Sequence, residues 1–294
     1  MRGAKSEPSG TRAPPSRDQA VGLQSGGPMR LYSVGTIAVV LISLAGPSAA
    51  QEQEPKLNQP TRPGTARSAD IQRVGVLQVE LGVEGRLHSP EVHSAENTPL
   101  SMRYAVLQRL ALDANIDALV SEVNQEPRTR HTAIGDTVIG GQWVARDASA
   151  SAPAVAIAYL VKVPTASNSE DVGTGRVDHR VGFLASKKVG DVDLDVNVAY
   201  LNVGQRQSGR ASGAFAAISA SGEFRNKLGY IAEWSHQTED AELPRGGYAL
   251  GALTYRLTEA ARFDVAARLG LTTDAPHFSV TAGLSVSRPL HLKP

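Results

Sequence analysis

The chain has 294 residues, no cysteine, 41% apolar residues and a formal charge of +1. A balance so near neutral gives no electrostatic footprint for nucleic acid. The presence of one apolar run, and not several of about 20 residues, excludes a polytopic helical membrane protein; it leaves a β-barrel open, because only alternate residues of each strand meet lipid.

The one long apolar run is Leu31 to Ala45. Met29 and Arg30 precede it, and Gly46-Pro47-Ser48-Ala49-Ala50 follows. A basic start, a short apolar centre and small residues at the cleavage spacing define a secretory signal peptide over 29–50, with Gln51 as the first mature residue. The alternative is a single anchor, for which the run is short. Residues 1–28, rich in Gly, Pro and Ser, are expected to be a non-native extension, with the true start at Met29. Residues 51–70 are polar and Pro-rich, without periodicity. They have too little apolar surface to fold alone, and are expected to form a disordered leader on the periplasmic side.

From Val74 onward the pattern has period two. In residues 74–87, Leu77, Val79, Leu81 and Val83 share one parity, against Gln78, Glu80, Glu84 and Arg86. Successive strand side chains point to opposite faces, so each such segment has one greasy and one polar face. The polar stretch 88–99 reads as a loop. Residues 100–110 and 113–123 read as two strands, although 100–123 also admits helical spacing. In 113–123, Ala114, Ile116, Ala118 and Val120 fall opposite Asp113, Asn115, Asp117 and Ser121. A loop over 125–132 leads to four clear strands within 135–203. The sharpest is Asp191 to Tyr200, where Val192, Leu194, Val196, Val198 and Tyr200 alternate with Asp191, Asp193, Asp195 and Asn197. Further strands follow over 213–224, 228–236, 248–257, 261–270 and 277–287.

The sum is about twelve strands, an even number, with long polar loops after 88, 164, 203 and 236 and tight turns at Gly190, Asn226 and Glu259. That asymmetry matches an outer-membrane barrel, with short periplasmic turns and longer outer loops. A soluble β-sandwich is the competing fold; it uses fewer strands and a bulkier apolar core. The second parity here is mostly Gly, Ser, Asp, Arg and Thr, which suits a polar lumen. The expected class is therefore all-β: a single transmembrane antiparallel β-barrel of about 12 strands over 71–288, preceded by a signal peptide and a disordered leader, with a tail at 289–294. The expected location is the bacterial outer membrane.

Three stretches carry a resemblance to a known family. They are Ile134-Gly135-Asp136 running into Gly140-Gly141-Gln142-Trp143; Val161-Lys162-Val163-Pro164-Thr165 with Gly173-Thr174-Gly175 and Asp178; and Leu271 to Pro276 with Val280-Thr281-Ala282-Gly283. In order and spacing they resemble the outer-membrane proteins of the "MetA-pathway of phenol degradation" family. The resemblance implies passage of small apolar or aromatic compounds across the outer membrane, with membrane lipid and the assembly machinery as partners. The alternative is a non-transporting structural or surface-binding barrel, because about twelve strands make a narrow lumen that side chains or the leader can plug.

Signals for enzyme chemistry are weak. The seven histidines are scattered; His88 and His93 have no standard ligand spacing. No nucleophile elbow or phosphate-binding loop stands before a helix. No catalytic, cofactor-binding or metal site is expected. The acids Asp191, Asp193 and Asp195 stand nearly 7 Å apart on alternate strand positions and point in parallel, so they do not converge on a cation. With Asn197, Asp264, Arg180, Arg262 and Arg268 they are expected to line a solvated lumen and set its field.

Overall fold

The computed structural model describes residues 56–89, 92–166, 172–206, 208–225, 227–241 and 243–290. The proposed extension 1–28, the signal peptide 29–50, residues 51–55 and the tail residues 291–294 lie outside the described residues. Among the described residues the regular structure is all strand: β1 (Val76–Leu87), β2 (Val92–Leu107), β3 (Leu110–Asn124), β4 (Arg130–Ala133), β5 (Thr137–Arg146), β6 (Ala154–Val163), β7 (Asp178–Val189), β8 (Val192–Gly204), β9 (Arg210–Arg225), β10 (Leu228–Gln237), β11 (Gly246–Thr258), β12 (Ala261–Gly270) and β13 (Phe278–Pro289).

Apart from β4 and β5, which do not pair with each other, consecutive strands pair antiparallel, and β1 pairs with β13, from Val76 opposite Pro289 to Leu87 opposite Phe278. The sheet thereby closes and leaves no free edge, the condition for strands to stand in hydrocarbon. β4 and β5 both pair with β3 and act as one interrupted stave. The wall is thus a closed barrel of twelve staves, the number expected.

The connections differ by end. At the end that carries the start of β1, four of the five connections are two residues long (108–109, 190–191, 226–227, 259–260), and the fifth is 147–153. At the other end they run from 88–91 to the 14-residue 164–177. Short connections mark the periplasmic end and long ones the outer end.

The two parities behave as the alternation requires. Leu81, Val83 and Leu87 of β1 are exposed on the outer surface, whereas Gln78 and Glu80 are almost fully covered. Aromatic side chains ring both ends of the exposed face: Trp143, Tyr255 and Phe263 toward the inner end, Tyr159, Tyr200 and Trp234 toward the outer end. Such girdles lie at the two water interfaces of a bilayer.

The wall departs from the sequence reading in three places. The polar stretch 88–99 is mostly strand, because β2 begins at Val92 and pairs with both β1 and β3. The expected loop 125–132 contains the start of β4, which pairs with β3; residues 100–107 and 110–123 are strand, as expected, on either side of the turn 108–109. In β3 the register shifts where Asn97 faces Val120 and Pro99 faces Asp117. The additional residue in β3 flips the facing, as β-bulges do. Leu119 is therefore 46% exposed on the outside and Val120 only 5% exposed, the reverse of the strict alternation read from the sequence.

Candidate functional site: an occupied lumen

The inward face of the wall is polar, and it is not solvated along its length. Residues 56–73, of which 56–70 belong to the expected disordered leader and 71–73 to the expected barrel, run inside the barrel. They enter at the periplasmic end, where Lys56 Nζ lies 3.3 Å from Asp193 Oδ2, and return there, where the Arg73 amide donates to the Lys56 carbonyl at 3.1 Å. Between these points the segment forms no helix or strand. Its backbone groups must still find partners once they leave water, and the wall side chains supply them.

Three inward carboxamides act as surrogate peptide groups. Each offers one acceptor and donors, as a peptide unit does. Gln78 accepts from the Gln59 amide at 2.7 Å and donates to the Gln59 carbonyl at 2.9 Å. Asn197 accepts from the Arg67 amide at 2.7 Å and donates to the Arg67 carbonyl at 2.8 Å. Gln142 donates to the carbonyls of Ser68 and Ala69, each at 2.9 Å. The carboxylates hold the turns. Glu80 accepts from the amides of Thr61 and Arg62, both at 3.0 Å. Glu233 accepts from the amides of Thr65 and Ala66 at 2.8 Å and from the Thr65 hydroxyl at 2.6 Å. Such charge-assisted bonds are the strong members of the class.

The leader's arginines are seated in the same wall. Arg62 Nη2 donates to Thr281 Oγ1 at 2.7 Å and to Asp264 Oδ1 at 3.3 Å, and Asp264 is only 2% exposed. The guanidinium lies over Gly82 and Gly283, register partners on β1 and β13; a Cβ at either would overlap it. Arg67 Nη1 donates to Asp113 Oδ2 at 3.1 Å, and Asp113 also faces Arg103 Nε at 3.6 Å. Arg103 Nη2 in turn donates to Gln142 Oε1 at 2.6 Å.

The residues expected to line the lumen are placed as follows. Asp191 lies outside the strand, exposed in the two-residue turn with Gly190, whose φ of +60° lets the chain reverse there. Asp193 meets Lys56. Asp195 accepts from Ser186 Oγ at 2.5 Å. Asn197 carries Arg67, and Asp264 carries Arg62. Arg268 Nη1 donates to Glu84 Oε1 and Nη2 to the Pro63 carbonyl, both at 3.2 Å. Arg180 lies over the Phe215 ring, 4.1 Å from its centroid. Arg262 is half-buried on the inward parity of β12, opposite Ser285 and Arg256. The solvated stripe is therefore corrected: Asp193, Asn197, Asp264 and Arg268 hold the leader.

The sequence reading missed Glu80, Glu233, Gln78, Gln142, Asp113 and the facing pair Gly82 and Gly283 as a site. A signal was available, since two arginines within a Pro- and Thr-rich stretch complement acids and amides on the polar parity of the strands.

Four of the residues that carried the family resemblance, Asp136, Lys162, Thr174 and Asp178, converge at the outer end. Lys162 Nζ lies 3.2 Å from Asp136 Oδ2 and 2.7 Å from Asp178 Oδ2, and it donates to Thr174 Oγ1 at 3.0 Å. Asp136 also accepts from the Ala166 amide at 3.0 Å, and Asp178 from the Gly204 amide at 2.7 Å. Together they pin both ends of connection 164–177 to the strands beside it. His88, expected in a loop with His93, is joined by His277: the His88 ring is edge-on to His93 at 5.0 Å and stacked with His277 at 6.1 Å. His93 itself lies in β2. Among the described residues no group of three His, Cys, Asp or Glu side chains is arranged to hold a metal ion.

A closed, lipid-facing barrel with aromatic girdles and a polar interior is an outer-membrane β-barrel protein. The family model described as "Putative MetA-pathway of phenol degradation" matches residues 61–287, and the chain belongs to that family. The matched span begins inside the leader. A search of curated proteins returns no match. Among solved structures, the chain is similar to an outer membrane channel from Pseudomonas putida F1, with 11% identity, a TM-score of 0.59, and coverage of 78% of this chain and 100% of that one. At that identity the likeness shows the fold. Lower similarity is found to outer membrane phospholipase A from Escherichia coli (11% identity, TM-score 0.44, 79% and 95% coverage) and to the P. putida toluene transporter TodX (11%, 0.35, 74% and 89%).

Proposed function

We propose that the protein is an outer-membrane channel for passive passage of small apolar or aromatic compounds, with its bore set by the leader. The observation that carries this reading is how the lumen is filled. Wall side chains such as Leu201, Phe215 and Leu250 fill part of it, and a threaded segment fills much of the rest, entering and leaving at one end and held by hydrogen bonds and ion pairs. The family's phenol-degradation description supports an aromatic cargo, and the P. putida F1 neighbour is itself titled an outer membrane channel. In this reading Asp193, Asp195, Asn197, Arg180, Arg262, Asp264 and Arg268 set the field along the passage. The inward acids and amides Gln78, Glu233 and Gln142 are engaged in holding Gln59 to Ala69, which favours a channel over a barrel enzyme. The assembly machinery of the outer membrane inserts the chain in the same reading.

A second reading, a non-transporting barrel, is favoured by the depth of the same occupation, since the leader is tied to the wall from Lys56 to Gln72. Solute flux separates the two. Proteoliposomes of the folded protein should admit phenol-sized solutes faster than protein-free vesicles; flux equal to theirs would leave the second reading standing.

A further inference from the structure

The lumen has the construction of a peptide-binding site. From Gln59 to Ala69 the wall recognises the leader chiefly through its backbone, using Gln78, Glu80, Glu233, Asn197, Gln142 and Ser186. Two arginine seats fix the register. At the first, the Arg62 guanidinium occupies the space that side chains at Gly82 and Gly283 would take, with Asp264 and Thr281 receiving its donors. At the second, Arg67 meets Asp113. The seats are part of the wall and do not depend on covalent continuity: the residues that hold Arg62 lie more than 200 positions away in Asp264 and Thr281. The covalent link itself passes through Arg73 and Val74, which are exposed at the periplasmic end.

We infer that the barrel lumen is a binding site for a looped, basic peptide segment, that the chain's own residues 56–73 are its resident ligand, and that this ligand exchanges with a copy supplied in trans. The recognised class is a looped segment without regular secondary structure that carries arginine at two positions five residues apart, matching Arg62 and Arg67. The segment's apolar contacts are small, with Ala66, Ala69 and Ile71 packed against three apolar clusters of the wall; the rest of its hold is polar, so the hydrophobic effect opposes its departure less than it would in a protein core. Occupation also matches charge: Lys56, Arg62 and Arg67 offset Asp193, Asp264 and Asp113. Release therefore exposes acids and makes the lumen cation-selective. This last consequence rests on the channel reading; the peptide site does not.

The test starts from the full chain, folded, with a protease site inserted after Arg73 and cut only after folding. The cut leader should stay bound at low salt and exchange with a fluorescent peptide of residues 56–73, read by anisotropy. An Arg62→Ala peptide should compete at least ten-fold more weakly. No exchange, or equal competition by the Arg62→Ala peptide, overturns the inference. A second measurement avoids cutting. The chain has no cysteine, so Thr65→Cys places a single thiol inside the barrel. Its labelling by a water-soluble thiol reagent should be slow, and at least ten-fold faster when Gly283→Leu removes the Arg62 seat; equal rates overturn the seat. Conductance in planar bilayers then separates the two readings. Peptide exchange with a rise in cation current upon release supports both, whereas exchange with unchanged current removes the channel and leaves the peptide site.

Discussion

The wall and the leader solve one problem in opposite ways. Both must satisfy their backbone polar groups away from bulk water. The wall does so with itself, each strand against its neighbours and β1 against β13. The leader forms no strand or helix, and its backbone is satisfied by side chains that arrive from strands far apart in sequence. Wall order is thus a property of a repeating local pattern, and leader order is a property of what surrounds it. The wall should consequently tolerate loss of the leader's contacts, while the leader should not tolerate loss of the wall's.

Substitutions can break that comparison, beginning with those that should hurt the wall. Lys162→Met strands Asp136 and Asp178, whose side chains are 8% and 10% exposed. Removing one partner of a buried ion pair costs about 3–5 kcal/mol, read as a lower denaturant midpoint and earlier proteolysis within 164–177. Leu81→Arg puts a charge on the lipid face of β1, where Leu81 is 51% exposed. Near the bilayer midplane such a charge costs about 2–4 kcal/mol, measured by reversible unfolding from vesicles, and an unchanged midpoint would mean that Leu81 does not meet hydrocarbon.

The next two changes should reach the leader and spare the wall. Glu233→Gln weakens the hold on the Thr65 and Ala66 amides. Hydrogen bonds to a charged group contribute about 1.5–3 kcal/mol, so exchange at those two amides should quicken by roughly ten- to a hundred-fold while β10 amides stay protected. Asn197→Ala deletes the reciprocal pair with Arg67. At about 0.5–1.5 kcal/mol for each neutral bond, it should loosen residues 66–68 with little change in the unfolding midpoint. The smallest effect belongs to neither region. Arg256 and Glu223 pair at 3.0 Å with both side chains more than 40% exposed, and Arg256→Gln should cost no more than about 0.5 kcal/mol by the same unfolding measurement. If Glu233→Gln or Asn197→Ala instead lowered the global midpoint as far as Lys162→Met, leader and wall would be one cooperative unit and the contrast between them would fail.

Much of the wall was legible in the sequence because strand side chains alternate faces with period two. In β8, Val198 and Tyr200 sit on one face and Asp195 and Asn197 on the other, as their alternation requires. The same rule misled at Val120, because a bulge adds one residue and flips the facing, and a one-residue insertion leaves no mark in composition. It failed again at 92–99, where polar residues of β2 looked like loop and pair with β1 and β3 nonetheless.

The sequence by itself determined that the chain must form strands with one apolar and one polar face, in a number that can close, because that information lies in neighbouring residues. Only the tertiary structure decided what the polar face is for. Asp264 and Asn197 read as a water-filled lining, and Asp113 and Glu233 stood out for nothing, until closure of the sheet brought all four around Arg62, Arg67 and the backbone between them. The physical reason is range: alternation acts between adjacent residues, whereas a guanidinium seat over Gly82 and Gly283 exists only after the two ends of the barrel have met.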